Sequence, residues 1–484
     1  MLRFSNYING SLVPPVNKKY IENSSPTSGK VYSLVPNSEE EDVLLAFSAA
    51  KEAFISWGSS TKEFRCRWLM KLANAIDDCA EELVLAESFD NGKPVWLARS
   101  VDIPRCSANI RFFATSILHF STKTHDMDGR ALNYILKHPI GVAGCISPWN
   151  LPLYLLTWKI APAIAVGNTV VAKPSEITPY TAYLFSKICK KINFPKGVIN
   201  IVHGLGEVAG EAVVANSDVV SFTGGTKTGK IIASQAAKNF KKYSLELGGK
   251  NPSVIFEDCD FNLAVENSIK SAFLNQGQIC LCGSRIFIQN SIYKKFRDAF
   301  LKKTLNLVVG DPKNNQSNLG AIVSKHHLNG ILSKIQLAES GGGKILCGGN
   351  QVFLSGDLSG GYYLSPTIIE NTTCDDLINQ EEVFGPVVTI IPFESEKEVV
   401  KMCNNTKYGL SASIFSNNIN RAHRVASLID AGVIWINSWL VRDLRIPFGG
   451  MKHSGVGREG GYHSLNFFTE TKNVCFNIDQ GANK

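Results

Sequence analysis

The 484-residue chain lacks acidic or basic tracts, low-complexity segments, and any uninterrupted apolar run of membrane-spanning length. Each absence removes a class of protein. With 19% charged and 44% hydrophobic residues, the composition is that of a chain that buries cores rather than one that stays disordered. The net charge of +8 is dispersed, and runs such as Lys241-Lys242 and Lys302-Lys303 stop at two residues. No nucleic-acid partner is therefore expected, since such proteins concentrate their basic residues on one face. A weak positive field could still draw in a small anionic substrate or cofactor. The most apolar stretch, from Leu151 to Val166, is interrupted by Pro152, Lys159 and Pro162 and is too short to span a bilayer.

The 12 cysteines are irregularly spaced and the 9 histidines do not cluster with them, so neither a disulfide framework nor a metal site is expected. Reduced thiols fit a cytoplasmic protein. The opening Met1-Leu2-Arg3-Phe4-Ser5-Asn6 has neither the apolar core of a signal peptide nor the character of an Arg-rich transit segment.

The length allows two or three domains. Residues 38–57 predict an amphipathic helix, with Ser38 and Glu41 as capping box and Val43, Phe47, Ala50, Phe54 and Trp57 on one face. A second helix is expected over about 62–88. From about 140 to 256, β-rich runs (Val142–Ser147, Thr169–Lys173, Val198–Val202, Val219–Phe222, Ser253–Phe256) alternate with helical segments. That alternation predicts an α/β fold with a Rossmann-like parallel sheet. Chemistry is then expected in the loops after the strand ends. A second α/β region follows over about 257–455, with a helix near 261–276, strands near Arg285–Gln289, Val387–Phe393 and Val433–Asn437, and a Gly-rich loop at 341–361. The tail from about 464 reads as a strand in need of a partner.

Two motifs mislead. Gly204-Leu205-Gly206-Glu207-Val208-Ala209-Gly210 places its third glycine one residue too late for a dinucleotide fingerprint and reads better as a turn and helix start. The segment from Gly224 to Lys230 nearly completes a P-loop, but Ile231 stands where a Mg²⁺-binding hydroxyl is needed. A strand–Gly–helix junction open to a pyrophosphate is the better reading.

The chemistry is carried by a constellation in fixed order. It comprises Ser147-Pro148-Trp149-Asn150-Leu151-Pro152, Lys173-Pro174-Ser175-Glu176, Leu245-Glu246-Leu247-Gly248-Gly249-Lys250, Asn275-Gln276-Gly277-Gln278-Ile279-Cys280, Glu382-Val383-Phe384-Gly385-Pro386 and Pro447-Phe448-Gly449-Gly450. Together these resemble the aldehyde dehydrogenase superfamily over nearly the whole chain. The resemblance implies a Rossmann-like NAD-binding domain (1–118 and 140–248) and a catalytic α/β domain (249–455). It also implies a small β oligomerisation element (119–139 and 464–484), giving a homodimer or homotetramer.

For the reaction it implies Cys280 as nucleophile, Glu246 as the base that activates water, and Asn150 with the Cys280 N–H as oxyanion donors. These are the groups that oxidation of an aldehyde through a thioester requires. For NAD it implies Lys173 and Glu176 on the adenosine ribose and Gly224-Gly225 at the pyrophosphate. Glu382 would hold the nicotinamide ribose, with Phe384, Ser147, Trp149 and Leu247 nearby. Gly225 departs from the commoner serine, so a backbone N–H must replace one hydroxyl donor. Lys159 and Glu459 match positions of a proton relay, although a helix-surface ion pair would explain them equally well. Cys282 reads as packing or a redox neighbour.

Within the superfamily the resemblance is strongest to the 2-aminomuconic and 2-hydroxymuconic semialdehyde dehydrogenases. It is carried by Asp102-Ile103-Pro104-Arg105, Arg111-Phe112-Phe113-Ala114, Ser147 through Pro162, Leu281 through Arg285 and Trp439 through Leu444. Arg105 and Arg442 are then expected at the aldehyde tunnel, where two guanidinium forks would match the carboxylate end of a muconate chain. Arg445, with Asp443 as partner, is expected at the surface. Retinal or an aliphatic aldehyde is the alternative substrate. A retired structural homologue and a CoA-acylating enzyme are the alternative activities; intact Cys280, Glu246 and Asn150 argue against the first, and Glu246 against the second.

Overall fold

A computed structural model describes residues 1–478. Two mostly parallel sheets organise it. The larger is eight-stranded, in the order Gly455–Val456, Lys242–Glu246, Val219–Thr223, Val142–Ile146, Thr169–Lys173, Ile199–Ile201, Asn6–Ile8, Ser11–Val13. Its central strands run parallel and both ends are closed by antiparallel pairs.

The alternating side chains of these strands explain why helices cover both faces. Ala143, Cys145, Val170, Ala172 and Val219 enter one core with the helices Lys62–Asp78, Ile103–Ser116 and Pro152–Ala165. Val142, Ile146, Val171, Val220 and Phe222 enter another with the helix Glu40–Gly58. The seven-stranded sheet runs Lys344–Cys347, Thr367–Glu370, Val387–Phe393, Gly283–Gln289, Asn251–Ile255, Ser411–Phe415, Val433–Ile436. It too has a core on each face.

Three details differ from the sequence expectation. The first helix starts at Glu40, and its capping box is Glu39 with Asp42. Ser38 is not free to cap, because its hydroxyl accepts from Asn6 Nδ2 at 2.8 Å. The expected helix over 62–88 is two helices, Lys62–Asp78 and Ala80–Asn91, parted at Cys79, which leaves helical geometry at ψ 14°. The run Ser253–Phe256 does not extend the first sheet. Its strand, Asn251–Ile255, is central to the second, a partnership that the sequence of a strand buried on both faces leaves undetermined.

The tail finds its partner. Thr469–Asn477 pairs antiparallel along its whole length with Ala131–Pro139, from Thr469↔Pro139 to Asn477↔Ala131, and Thr124–Asp126 lies on the other side. Residues 479–484 of the expected oligomerisation element lie outside the described residues. Among the described residues no helix is long and apolar enough to cross a membrane, and no His/Cys/Asp/Glu group is arranged to hold a metal ion.

Candidate active site

Two strands of the larger sheet end, at Thr223 and Glu246, on a cavity of about 450 Å³ that is also lined by Cys280, Glu459, Arg105 and Arg442. Cys280 reaches it from a strained loop. After the helix Phe261–Phe273, Asn275 and Gln276 take φ of 53° and 56°, followed by Gly277 at 68°. A Cβ on Gly277 would lie 2.1 Å from the Gly385 carbonyl, so only glycine fits there. Hydrogen bonds hold the loop against its strain. Asn275 Nδ2 donates to Asn150 O and Gln278 O, both at 3.2 Å, Gln276 Nε2 to Ala321 O at 3.2 Å, and Asn251 Nδ2 to Cys280 O at 2.7 Å. Burial pushes the Cys280 thiol well up; Glu382 and Glu246 add to this, while Arg442 opposes it.

Glu246 ends the strand Lys242–Glu246, in register with Thr223 on one side and Gly455 on the other. It is 4% exposed, and neither carboxylate oxygen has a partner. Burial and then Glu459 raise its pKa well above the ordinary carboxylate value, while Lys159, Arg458 and Arg442 pull it back. The Pro447–Gly450 turn makes room for it: a Cβ on Gly449 would come within 2.8 Å of Glu246 Oε1.

Lys159 and Glu459 do not form a surface pair. They meet at 2.9 Å in the interior, and Ser221 Oγ bridges them by accepting from Lys159 at 3.1 Å and donating to Glu459 at 3.2 Å. Cys282 is buried beside Trp439 and Leu281 in a small core, and burial pushes its thiol up to about 12.

Asn150 is buried at the start of the helix Pro152–Ala165. Its amide donates to Gln278 O at 2.9 Å, which uses one of its two N–H groups. The neighbouring Trp149 ring meets Phe384 edge-on at 5.1 Å and His327 at 5.2 Å. His327 Nε2 lies 2.7 Å from the Phe384 carbonyl and must carry the proton there, since a carbonyl only accepts. Phe384 itself has φ 58°. His327 escaped the sequence analysis: a histidine in the first turn of the helix Lys325–Ser340 carries no motif.

Among the groups expected to hold a dinucleotide, Lys173 Nζ pairs with Glu176 Oε2 at 2.9 Å. Burial raises Glu176, but Lys173 more than offsets it and the net shift is downward. Gly225 caps the twelve-residue helix Thr226–Ala237 without a side-chain bond, and a Cβ there would meet only open space. The space beside Gly225 is thus open at the N-terminus of that helix, the end that favours an anion. Gly224 is fixed by donating to Glu246 O at 3.0 Å. Leu247 packs on Gly229, whose Cβ would fall 2.7 Å from Leu247 Cδ2. Glu382 accepts from Gly249 N–H at 3.1 Å, and burial raises it to about 7. Ser147 Oγ and Thr223 Oγ1 are buried without partners.

Arg105 and Arg442 sit in the same cavity as Cys280. Arg105 Cζ stands 5.5 Å over the Tyr154 ring and 5.8 Å from the Trp158 ring; Arg442 Cζ stands 4.0 Å over Phe448. Arg442 Nη1 approaches Tyr154 Oη at 3.4 Å. Arg105 Nε and Nη2 and Arg442 Nε are buried without partners. Arg445 forms an exposed pair with Asp443 at 2.5 Å.

A half-buried cysteine and a buried carboxylate share one cavity. The pattern of the aldehyde dehydrogenase family matches residues 13–474. The chain belongs to that family and is an aldehyde-oxidising enzyme. It is 48% identical to the 2-aminomuconic semialdehyde dehydrogenase of Danio rerio, covering 98% of each chain. It is 41% identical to a 2-hydroxymuconic semialdehyde dehydrogenase of Pseudomonas sp. (strain CF600), covering 99% of this chain and 100% of the other. The NAD⁺ complex of an aldehyde dehydrogenase from Bacillus cereus superposes with a TM-score of 0.95 at 38% identity, covering 98% and 97%.

Proposed function

We propose that the enzyme oxidises the semialdehyde of a short unsaturated diacid, such as 2-aminomuconate semialdehyde, to the carboxylic acid with NAD as acceptor. The observation that carries the substrate class is the pair of guanidinium edges left unpartnered in the Cys280 cavity. A buried cationic donor without an acceptor is costly; the distal carboxylate of such a substrate supplies the acceptor. The names of its relatives agree with this chemistry.

In this reading the Cys280 thiol loses its proton to water, the thiolate sulfur bonds to the aldehyde carbon, and the oxygen that gains the charge is held by the second N–H of the Asn150 amide and the Cys280 backbone N–H. NAD, when bound, accepts the hydride that leaves the adduct carbon. The resulting thioester on Cys280 is cleaved by water that Glu246 deprotonates, and the sulfur leaves. A buried base of raised pKa suits that step. Lys159, Ser221 and Glu459 then offer the proton a route away from Glu246.

The open helix N-terminus at Gly225, the orphaned hydroxyls of Ser147 and Thr223, and the buried Glu382 carboxylate together fit a pyridine dinucleotide. Lys173 and Glu176 would hold the adenosine ribose, Gly224-Gly225 the pyrophosphate and Glu382 the nicotinamide ribose. Phe384, Trp149, Ser147 and Leu247 would border the nicotinamide. The proposed domains are 1–118 with 140–248 for NAD, 249–455 for catalysis, and 119–139 with the tail for assembly.

We further infer a cytoplasmic homodimer or homotetramer. The support is a complement of free cysteines and an edge strand, Thr469–Asn477, that ends in the exposed Phe476. An aldehyde panel with and without a distal carboxylate, followed at the NADH absorbance, tests the substrate class. Preference for uncharged aldehydes of equal length would overturn it.

A further inference from the structure

One buried charged cluster plays no part in the chemistry above. Lys93 is 0% exposed, just beyond the helix Ala80–Asn91. Its ammonium donates to Asp102 Oδ1 at 2.8 Å, to Glu87 Oε1 at 3.4 Å and to the main-chain oxygen of Asn150 at 3.0 Å. Both carboxylates are likewise fully buried. Three interior charges are poorly explained by stability, since apolar residues of equal volume often serve a fold as well or better. What the cluster does accomplish is geometric. It fixes a cationic donor on the peptide of Asn150.

That carbonyl also accepts from Asn275 Nδ2 at 3.2 Å, out of the strained Cys280 loop, and from Asn91 Nδ2 at 3.4 Å. Asn91 Nδ2 and Thr178 Oγ1 further hold the preceding Trp149 carbonyl at 2.9 and 3.2 Å. The Asn150 peptide is therefore the junction between the nucleophile loop and the Lys93 cluster. The direction of the Asn150 amide follows from the placement of its own backbone.

We propose that Lys93 is a positioning residue for the oxyanion donor: by anchoring the Asn150 carbonyl it aims the Asn150 amide at the oxygen of the Cys280 adduct. The proposal rests on the donor role given to Asn150 above. Oxyanion stabilisation demands donors placed before the charge develops, and a displacement of about 1 Å can cost on the order of a hundredfold in rate.

The test is a double-mutant cycle in the full-length enzyme, read as single-turnover NADH formation with saturating NAD. Because Lys93→Met alone leaves two buried carboxylates facing an apolar group, Lys93→Met/Asp102→Asn is made beside it, and NAD affinity and Tm are recorded for each. The expected result is a rate loss of roughly tenfold or more for the Lys93 variants with NAD affinity retained. The same changes should cost less than about threefold in an Asn150→Ala background, because coupled residues are not additive. Lys93→Arg, which keeps a cationic donor, should recover part of the rate. Equal losses in both backgrounds, or an unchanged rate in a variant that folds and binds NAD, would overturn the proposal while leaving the role of Asn150 intact. A normal rate for Asn150→Ala alone would remove the donor role itself, and the proposal with it.

Discussion

Arg105→Met is the perturbation that bears most directly on the substrate. The methionine keeps an apolar stem against Tyr154 and Trp158 and removes the fork. Arg105 rather than Arg442 is the cleaner choice. Arg442 also lowers the Cys280 pKa and that of Glu246, so its removal would weaken the nucleophile for every aldehyde. Arg105 contributes to neither of these shifts. Burial lowers the Arg105 pKa, and the like charge of Arg442 adds to that lowering. Tyr154 and Asp443 oppose that lowering, and the loss confined to a carboxylated substrate reports the missing contact.

A hydrogen bond to a charged group is worth about 1.5–3 kcal/mol. The expected drop in kcat/KM for the semialdehyde is thus roughly ten- to 150-fold. An uncharged aldehyde of the same length should lose less than about threefold, or improve, since it offers the free guanidinium N–H groups no acceptor. Initial rates of NADH formation on the two substrates give the ratio. Equal losses on both would mean that Arg105 supports the cavity wall, and no loss on either would refute carboxylate recognition there.

Cys280→Ala should abolish NADH formation, whereas Glu246→Gln should give one turnover and then hold an acyl adduct on Cys280, visible by intact mass. Steady turnover by the Glu246 variant would remove its role as base. Glu176, kept charged beside Lys173, should repel a 2′-phosphate; similar kcat/KM with NAD and NADP, or an unaltered preference in Glu176→Gln, would contradict this. Glu246 acts when deprotonated, so deacylation should fall as pH drops through its raised pKa. Glu459→Gln removes a charge that raises that pKa and should move the acid limb of kcat to lower pH, while Lys159→Met should move it higher. Limbs that stay in place in both variants would exclude this coupling.

Four of the eight strands of the larger sheet were legible in the sequence because each is a short β-rich run bounded by turns, and Thr169–Lys173 is found at the expected bounds; Asn6–Ile8, Ser11–Val13, Lys242–Glu246 and Gly455–Val456 were not named. The candidate site was drawn from a different signal: Cys280, Glu246 and Asn150 each sit inside a multi-residue motif. The reading missed residues whose function is relational. His327 is an unremarked helix residue until Phe384, far along the chain, brings a carbonyl to it. Lys93 looks like any surface lysine until folding closes Glu87, Asp102 and Asn150 around it. Lys159 and Glu459, 300 positions apart, could equally have been solvated.

The sequence by itself determined the family, the strand pattern and the residues that can react, because these depend on local periodicity and on side-chain chemistry. Tertiary structure alone decided which sheet Asn251–Ile255 joins and that Lys159 and Glu459 are buried. It also decided how the two arginines expected at the tunnel are held, Arg105 over Tyr154 and Trp158 and Arg442 over Phe448. Burial, ion pairing and convergence are properties of the space between elements, and no local pattern encodes the distance across it.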